Sequence, residues 1–399
     1  MTKFYEQVKE RLMRYARINT ESNPHSTSVP TTSCQHDLAS VIYEELQKIG
    51  ATNVYYDKDT CVVYGFLEAN VKTGRAIGFV THMDTAPDAS GKDAKPWVLE
   101  NYDGNDIVLN KEKNIIMSPS VFPNLKQYIG QDLILTDGTT LLGGDDKASI
   151  AAVMTLLEYL VKHPEIKHNF ISVAFTPDEE VSGLAKDLER FKSPIAYTLD
   201  GDHLGYYMDE TFNASLSTIE IHGISVHTAT AKGIMKNAVD IGNAFLNKLP
   251  ALEKPQYTQG REGFYHVVSF NGDCEYAKIE INVRDHDSLQ FDIRNNTLKM
   301  IVDMLNEEYG QGTVNITQRI QYRNLKEVID QVPFMIPYLK QAIESIGLTP
   351  QTEPFRGGTD GSALSHRGLV LTYQRDMRMR MDVLNMFPFS RWKRMWKSY

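Results

Sequence analysis

Covalent cross-links and membrane anchors have little to build on in this chain. Its 399 residues include three cysteines, Cys34, Cys61 and Cys274, which lie far apart and form no Cys-x-x-Cys pair. They suggest a reducing compartment and no disulfide framework. No apolar run reaches the ~18 residues of a membrane span. The opening residues, Met1-Thr2-Lys3-Phe4-Tyr5-Glu6-Gln7, carry no apolar signal segment. A cytoplasmic location and no membrane partner are therefore expected. An excess of basic residues is lacking too, and a net charge of −9 argues against a general nucleic-acid binder. What remains, 42% apolar and 23% charged, is the composition of a soluble globular protein, long enough for two domains.

Four clusters of acids or histidine each follow an apolar run. Ala76-Ile77-Gly78-Phe79-Val80 leads into Thr81-His82-Met83-Asp84. Leu141-Leu142-Gly143-Gly144 leads into Asp145-Asp146-Lys147. Phe170 to Phe175 leads into Thr176-Pro177-Asp178-Glu179-Glu180, and Ile195 to Leu199 into Asp200. If the runs are parallel strands, all four clusters meet at one sheet edge, where open α/β sheets bind ligands. Carboxylates gathered there repel one another unless a cation holds them. A metal site, with two metals, is the expectation.

Helical spacing covers residues near 4–18, 36–49 (ended by Gly50), 147–163, 236–248, 289–309 and 334–346. Strands are expected at 54–56 and 61–67. The polar stretch 88–132 reads as decoration of the sheet. After Met208 the texture changes to alternating strands, at 216–221, 266–270, 277–283 and 313–320. With their two helices these follow the order β-α-β-β-α-β of a ferredoxin-like sandwich. Residues 211–323 thus read as an inserted α+β domain, and 1–210 with 324–399 as an α/β domain.

Each cluster alone has an ordinary explanation. His82-x-Asp84 can be a surface turn, and one aspartate of the Asp145-Asp146 pair can simply cap a helix. Asp178-Glu179-Glu180 can be a solvated acidic turn. Gly143-Gly144 lacks phosphate-loop spacing and is followed by acids that would repel phosphate. Placed after strands, in this order, the clusters give an imidazole with a nearby carboxylate, a bridging acid, and a glutamate pair able to divide ligation from proton transfer. Asp200 could be a terminal ligand. In Arg356-Gly357-Gly358-Thr359-Asp360-Gly361 the arginine could grip a carboxylate, or pair with Asp360. Arg284 is a second such candidate at a strand end, and His227 lies on a loop. No role is assigned to His203, His222 or His286.

With these residues assembled, the chain resembles the dinuclear zinc exopeptidases, and among them the tripeptide aminopeptidases, over roughly residues 1–369. The segments that carry the resemblance are Thr81 to Thr85, Leu141 to Lys147, Thr176 to Glu180, Tyr197 to Gly201, Gly263 to His266 and Arg356 to Gly361. It implies a catalytic domain with a mixed, mainly parallel sheet flanked by helices, and an inserted lid and dimerisation domain. It implies two zinc ions per subunit: His82, Asp145 and Asp200 on one, Asp145 bridging to a second that Glu180 also binds. Asp84 would orient His82. Glu179 would act as general base as a metal-bridging hydroxide attacks the peptide. His227 would reach the active site of a neighbouring subunit in a homodimer, and Arg284 and Arg356 would help bind the peptide. The chain departs from the family at His227-Thr228-Ala229, where His-Pro-Gly is usual. A dipeptidase or N-acyl amino-acid deacylase of the same clan, or a non-catalytic peptide-binding homologue, are the alternatives.

The family's second zinc needs one more ligand, a histidine near the C-terminus. Residues 370–399 hold no histidine and no glycine, but five of the chain's 15 methionines and two of its three tryptophans. A frame shift just beyond Leu369 is the expected cause, with a real, divergent tail as the alternative. Codons for Arg380 to Tyr399 can be chosen so that reading from each third base spells HGRFEYVSVQSMEK and then NVEVI, a plausible family ending. The expectation is an aberrant tail, a weakened second metal and an impaired enzyme. His366 is a weak substitute, since its counterpart in the family is not a ligand. The last strand or helix of the domain is also expected to suffer.

Overall fold

The computed structural model describes residues 2–181, 188–200, 205–368, 370–375 and 387–388; for 2, 3, 360, 363, 370–375 and 387–388 it describes the backbone alone. The chain divides into two compact units. The first comprises Met1–Asp209, Val328–Thr352 and the residues from Thr359 on; the second comprises Glu210–Glu327 and Glu353–Gly358.

The first unit is built on an eight-stranded sheet. Its strands run in the order Thr52–Asp57, Val62–Leu67, Ile171–Thr176, Ile77–His82, Ile195–Leu199, Val370–Arg375, Tyr206–Met208 and Gln351–Thr352. The four central strands are mutually parallel, with His82 opposite Thr176 and Val80 opposite Thr198. Three of them, Ile171–Thr176, Ile77–His82 and Ile195–Leu199, are buried on both faces, which is why they read as continuous apolar runs rather than alternating ones. Gly78 permits a close approach in the middle of its strand, since a Cβ there would lie 2.1 Å from the Phe191 ring.

The helix Gly144–Lys162 is rich in alanine and leucine, free of internal proline, and buried along most of its length. It shares one core with the sheet and with the helices Thr2–Tyr15 and Gln35–Ile49. Arg11 pins the three helices together, reaching Glu45 at 2.7 Å, Thr155 Oγ1 at 2.8 Å and the Glu158 carboxylate. One expected strand is absent. Leu141 and Leu142 are buried without joining a ladder, because Gly143, at φ +68°, turns the chain straight into the helix. The stretch 88–132 is more than decoration. Tyr102, Ile107, Leu109, Met117, Leu125 and Tyr128 form a core of their own with Leu133 and Leu135.

Part of the anomalous tail is described. Val370–Arg375 pairs parallel with Ile195–Leu199; the strand and helix expected to suffer beyond Arg380 fall almost wholly outside the described residues. Phe387–Pro388 pairs with Ile134 and Leu133. The rest of residues 370–399 lies outside the described residues.

The second unit is an antiparallel four-stranded sheet in the order Phe264–Gly272, Tyr276–Asp285, Asn213–His222 and Val314–Tyr322. The helices Ala238–Asn247 and Ser288–Tyr309 pack with the sheet in one core. Asn237 and Asp287 cap their N-termini through side-chain oxygens. Residues 353–358, expected with the first part, belong here. Phe355 N donates to Glu210 O and Phe212 N to Gly357 O, each at 3.1 Å. Among the described residues no helix is long and apolar enough to cross a membrane.

Candidate metal centre

Because the strands Ile77–His82, Ile171–Thr176 and Ile195–Leu199 are parallel, their C-terminal ends share one edge of the sheet. There they deliver His82, the Glu179–Glu180 turn and Asp200. The start of the Gly144–Lys162 helix delivers Asp145 and Asp146. Both aspartates have non-helical backbone angles at the start of the helix, and the Asp146 carboxylate turns to the His82 amide rather than to a helix amide, contrary to the ordinary capping reading. The aspartates diverge instead. Asp145 Oδ1 lies 3.0 Å from His82 Nε2, while Asp146 Oδ2 accepts from the His82 amide at 3.2 Å.

Asp84 is fully buried and meets three groups. Its Oδ1 lies 3.2 Å from His82 Nδ1. The same oxygen accepts from Glu179 N at 2.9 Å, and Oδ2 accepts from Glu180 N at 3.1 Å. Nδ1 also lies 3.1 Å from the Asp84 carbonyl oxygen, and two acceptors of one residue select the tautomer that leaves the Nε2 lone pair for a ligand. Nε2 then faces Asp145 and, at 3.9 Å, Asp200 Oδ2. An imidazole lone pair set against two carboxylates is repulsive unless a cation lies between them. Among the described residues, two triads have ligand atoms within 4.8 Å of one another, His82 with Asp145 and Glu180, and His82 with Glu179 and Asp200. Mixed imidazole and carboxylate donors suit zinc and its neighbours.

The electrostatics point the same way. Burial, with the charge of Asp145 beside it, pushes the Glu180 carboxyl up to about 7. Burial also pushes Asp146 well above the carboxylate range, with Asp200 and Asp145 adding to it against the opposing pull of His82. Burial disfavours charge on His82, but its bonds to Asp145 and Asp84 outweigh that and hold it well above its usual value. The centre thus has more negative charge than its own residues neutralise, and a divalent cation fits it.

The remaining sequence candidates lie in the second unit, apart from His366. His227 is exposed, and its Nδ1 accepts from Ala229 N at 3.2 Å, leaving the Nε2 side outward. Arg284 is half-buried, bonded to Gln321 Oε1 at 2.8 Å and set over the Tyr322 ring. Arg356 spends its fork on a loop, giving Nη1 to Gly260 O and Glu262 O at 2.9 Å each and Nη2 to Thr258 Oγ1 at 2.7 Å. His366 is exposed at the end of the Asp360–Ser365 helix and is in neither donor triad. Two buried acids at the centre went unassigned in the sequence, Asp146 and Asp178. Only their neighbours signalled them.

Residues 210–313 match the family described as peptidase dimerisation domain. Two solved structures share the fold at 19% identity. They are aminopeptidase PepT from Bacillus cereus, with a TM-score of 0.76 over 98% of this chain and 96% of that one, and a tripeptidase from Staphylococcus aureus, with 0.77 over 99% and 96%. Peptidase T of Clostridium novyi is 46% identical over 367 residues, 91% of this chain and 90% of its own length. An identity near one half, held across nine-tenths of both chains, is far beyond shared architecture, and this chain belongs to the peptidase T family.

Proposed function

We propose that the chain is a metallo-aminopeptidase that releases the N-terminal residue of tripeptides, with two zinc ions held by His82, Asp145, Glu180 and Asp200. The observation that carries this reading is the threefold engagement of Asp84. It fixes the tautomer of His82 and, through two peptide amides, the turn that bears Glu179 and Glu180. Ligand and base are thereby set by one buried carboxylate. The names of the tripeptidase and the Peptidase T relatives support the substrate class.

When bound, paired divalent metals polarise a scissile carbonyl and make water a nucleophile at neutral pH. The chain's residues supply the rest. Glu179 takes the proton from the attacking water and returns it to the leaving amine, so that the proton count closes. Asp145 would contribute to holding both metals. His227, exposed on its own protomer, would stabilise the oxyanion in a neighbouring subunit, and the match of 210–313 to a dimerisation domain supports a homodimer. Arg284 and Arg356 are assigned to the peptide; for Arg356 this means exchanging its bonds to the 258–262 loop.

The second zinc retains Asp145 and Glu180 but no histidine from residues 370–399, which contain none. We therefore assign it weak occupancy and this chain a reduced rate. Metal content and hydrolysis of tripeptides, dipeptides and N-acyl amino acids, measured side by side, test the proposal. Preference for dipeptides or acylated amino acids would overturn the substrate class. Peptide binding without turnover in excess zinc would make the chain a binding protein.

A further inference from the structure

We infer that Asp178 is a positioning residue that sets the Glu179–Glu180 turn before any metal binds. This rests on the reading of Glu179 as base and Glu180 as ligand. Asp178 is 1% exposed, the inward member of three consecutive acids. Its carboxylate accepts from Thr31 N at 3.0 and 2.9 Å, from Thr31 Oγ1 at 2.5 Å and from Gln35 Nε2 at 2.6 Å. Gln35 is itself fully buried, and its Oε1 accepts from the Asp178 amide at 3.3 Å, closing a reciprocal pair. Every one of these donors is neutral. Burying a carboxylate among neutral donors, next to two more acids, is costly unless the bonds accomplish something.

They hold the backbone in one unusual shape. Asp178 sits at φ +62°, a left-handed conformation in which few residues other than glycine, asparagine and aspartate rest easily. From that turn the next two amides both reach the Asp84 carboxylate. The turn is thus gripped from two sides. Asp84 takes its amides, and the Thr31–Gln35 segment takes the side chain that precedes them. With either grip lost, Glu179 and Glu180 would have to be ordered at the moment of metal binding or catalysis.

The test compares the full chain with Asp178→Asn, Gln35→Glu and the double variant. Metal-free protein is titrated with zinc, and kcat, KM and Tm are read alongside. Each single change sets donor against donor or acid against acid; the double change restores a complementary pair at unchanged net charge. Expected for each single variant is zinc binding weaker by about tenfold or more, with kcat down by a similar factor and KM little changed. The double variant should recover most of both losses. Zinc affinity and kcat at wild-type levels in the singles overturn the proposal, as does a double variant no better than either single. If a single variant does not fold, Thr31→Val, which deletes one hydroxyl donor, decides by the same titration, and unchanged zinc affinity there overturns the proposal. Should the wild-type chain bind zinc yet cleave no peptide, the functional reading fails, and the titration still judges Asp178 independently.

Discussion

Asp84 shows how much one side chain can decide at this centre. Asp84→Asn keeps the shape but turns an N–H toward His82 or toward a peptide amide, so one of the three bonds must fail. The expected outcome is zinc affinity lower by about 10- to 100-fold, measured by equilibrium dialysis of the variant against the wild-type chain. Glu179→Gln removes the proton acceptor and leaves the amide held by Asp84. A kcat lower by about 10²- to 10⁴-fold is expected, with zinc content unchanged. Zinc lost together with rate would instead make Glu179 a ligand, a live distinction because its carboxylate stands in a triad with His82 and Asp200. His82, Asp84, Glu179 and Glu180 were legible in the sequence because each belongs to a cluster at the end of an apolar strand. Asp178 and Asp146 were not. Adjacency along the chain does not report which of several consecutive acids turns inward, and that choice is made by Thr31, Gln35 and the His82 amide, distant in sequence.

Among the elements, apolar periodicity located nearly every helix and strand that positions the centre, since burial on both faces writes itself as an unbroken run. Leu141-Leu142 misled because a buried loop is apolar too, and no periodicity separates the two over so short a run. The 88–132 stretch misled because its apolar residues are spaced among polar ones and gather only in three dimensions. His286, at the end of the Tyr276–Asp285 strand, carried no signal at all. Its ring is buried, packs tilted against Phe212, and faces Glu210, which is bound to Arg261; Arg356 adds a further positive field. Burial pushes it down to about 4, Arg261 and Arg356 contributing against the pull of Glu210. A folded-state value below the unfolded value of about 6.5 means that the unfolded chain takes up the proton first. The stabilisation is therefore whole above pH ~6.5 and is lost as the pH falls toward 4. Urea midpoints at pH 7 and pH 5 should differ more for the wild-type chain than for His286→Gln; equal differences would refute this.

For the whole molecule, the consequence of the tail is a question of metal stoichiometry. The chain as written should hold one zinc firmly and a second only in excess. A counterpart ending in HGRFEYVSVQSMEK should hold two and turn over tripeptides at least about tenfold faster. Metal analysis after gel filtration, with rates on the same fractions, checks both. Two tightly held zincs in the chain as written would refute the account. The ferredoxin-like insert was legible as a block because its strands alternate where those of the first unit do not. Its last piece, 353–358, was not legible: six residues carry no periodicity, and only their bonds to Glu210 and Phe212 assign them. That loan of six residues alters the molecule's modularity. The peptide chain passes from one unit to the other four times rather than twice, at 209–210, 327–328, 352–353 and 358–359. A graft that excised 210–327 alone would leave behind the segment that closes on Glu210, so a transplantable version of this unit has to carry 353–358 as a tethered second piece.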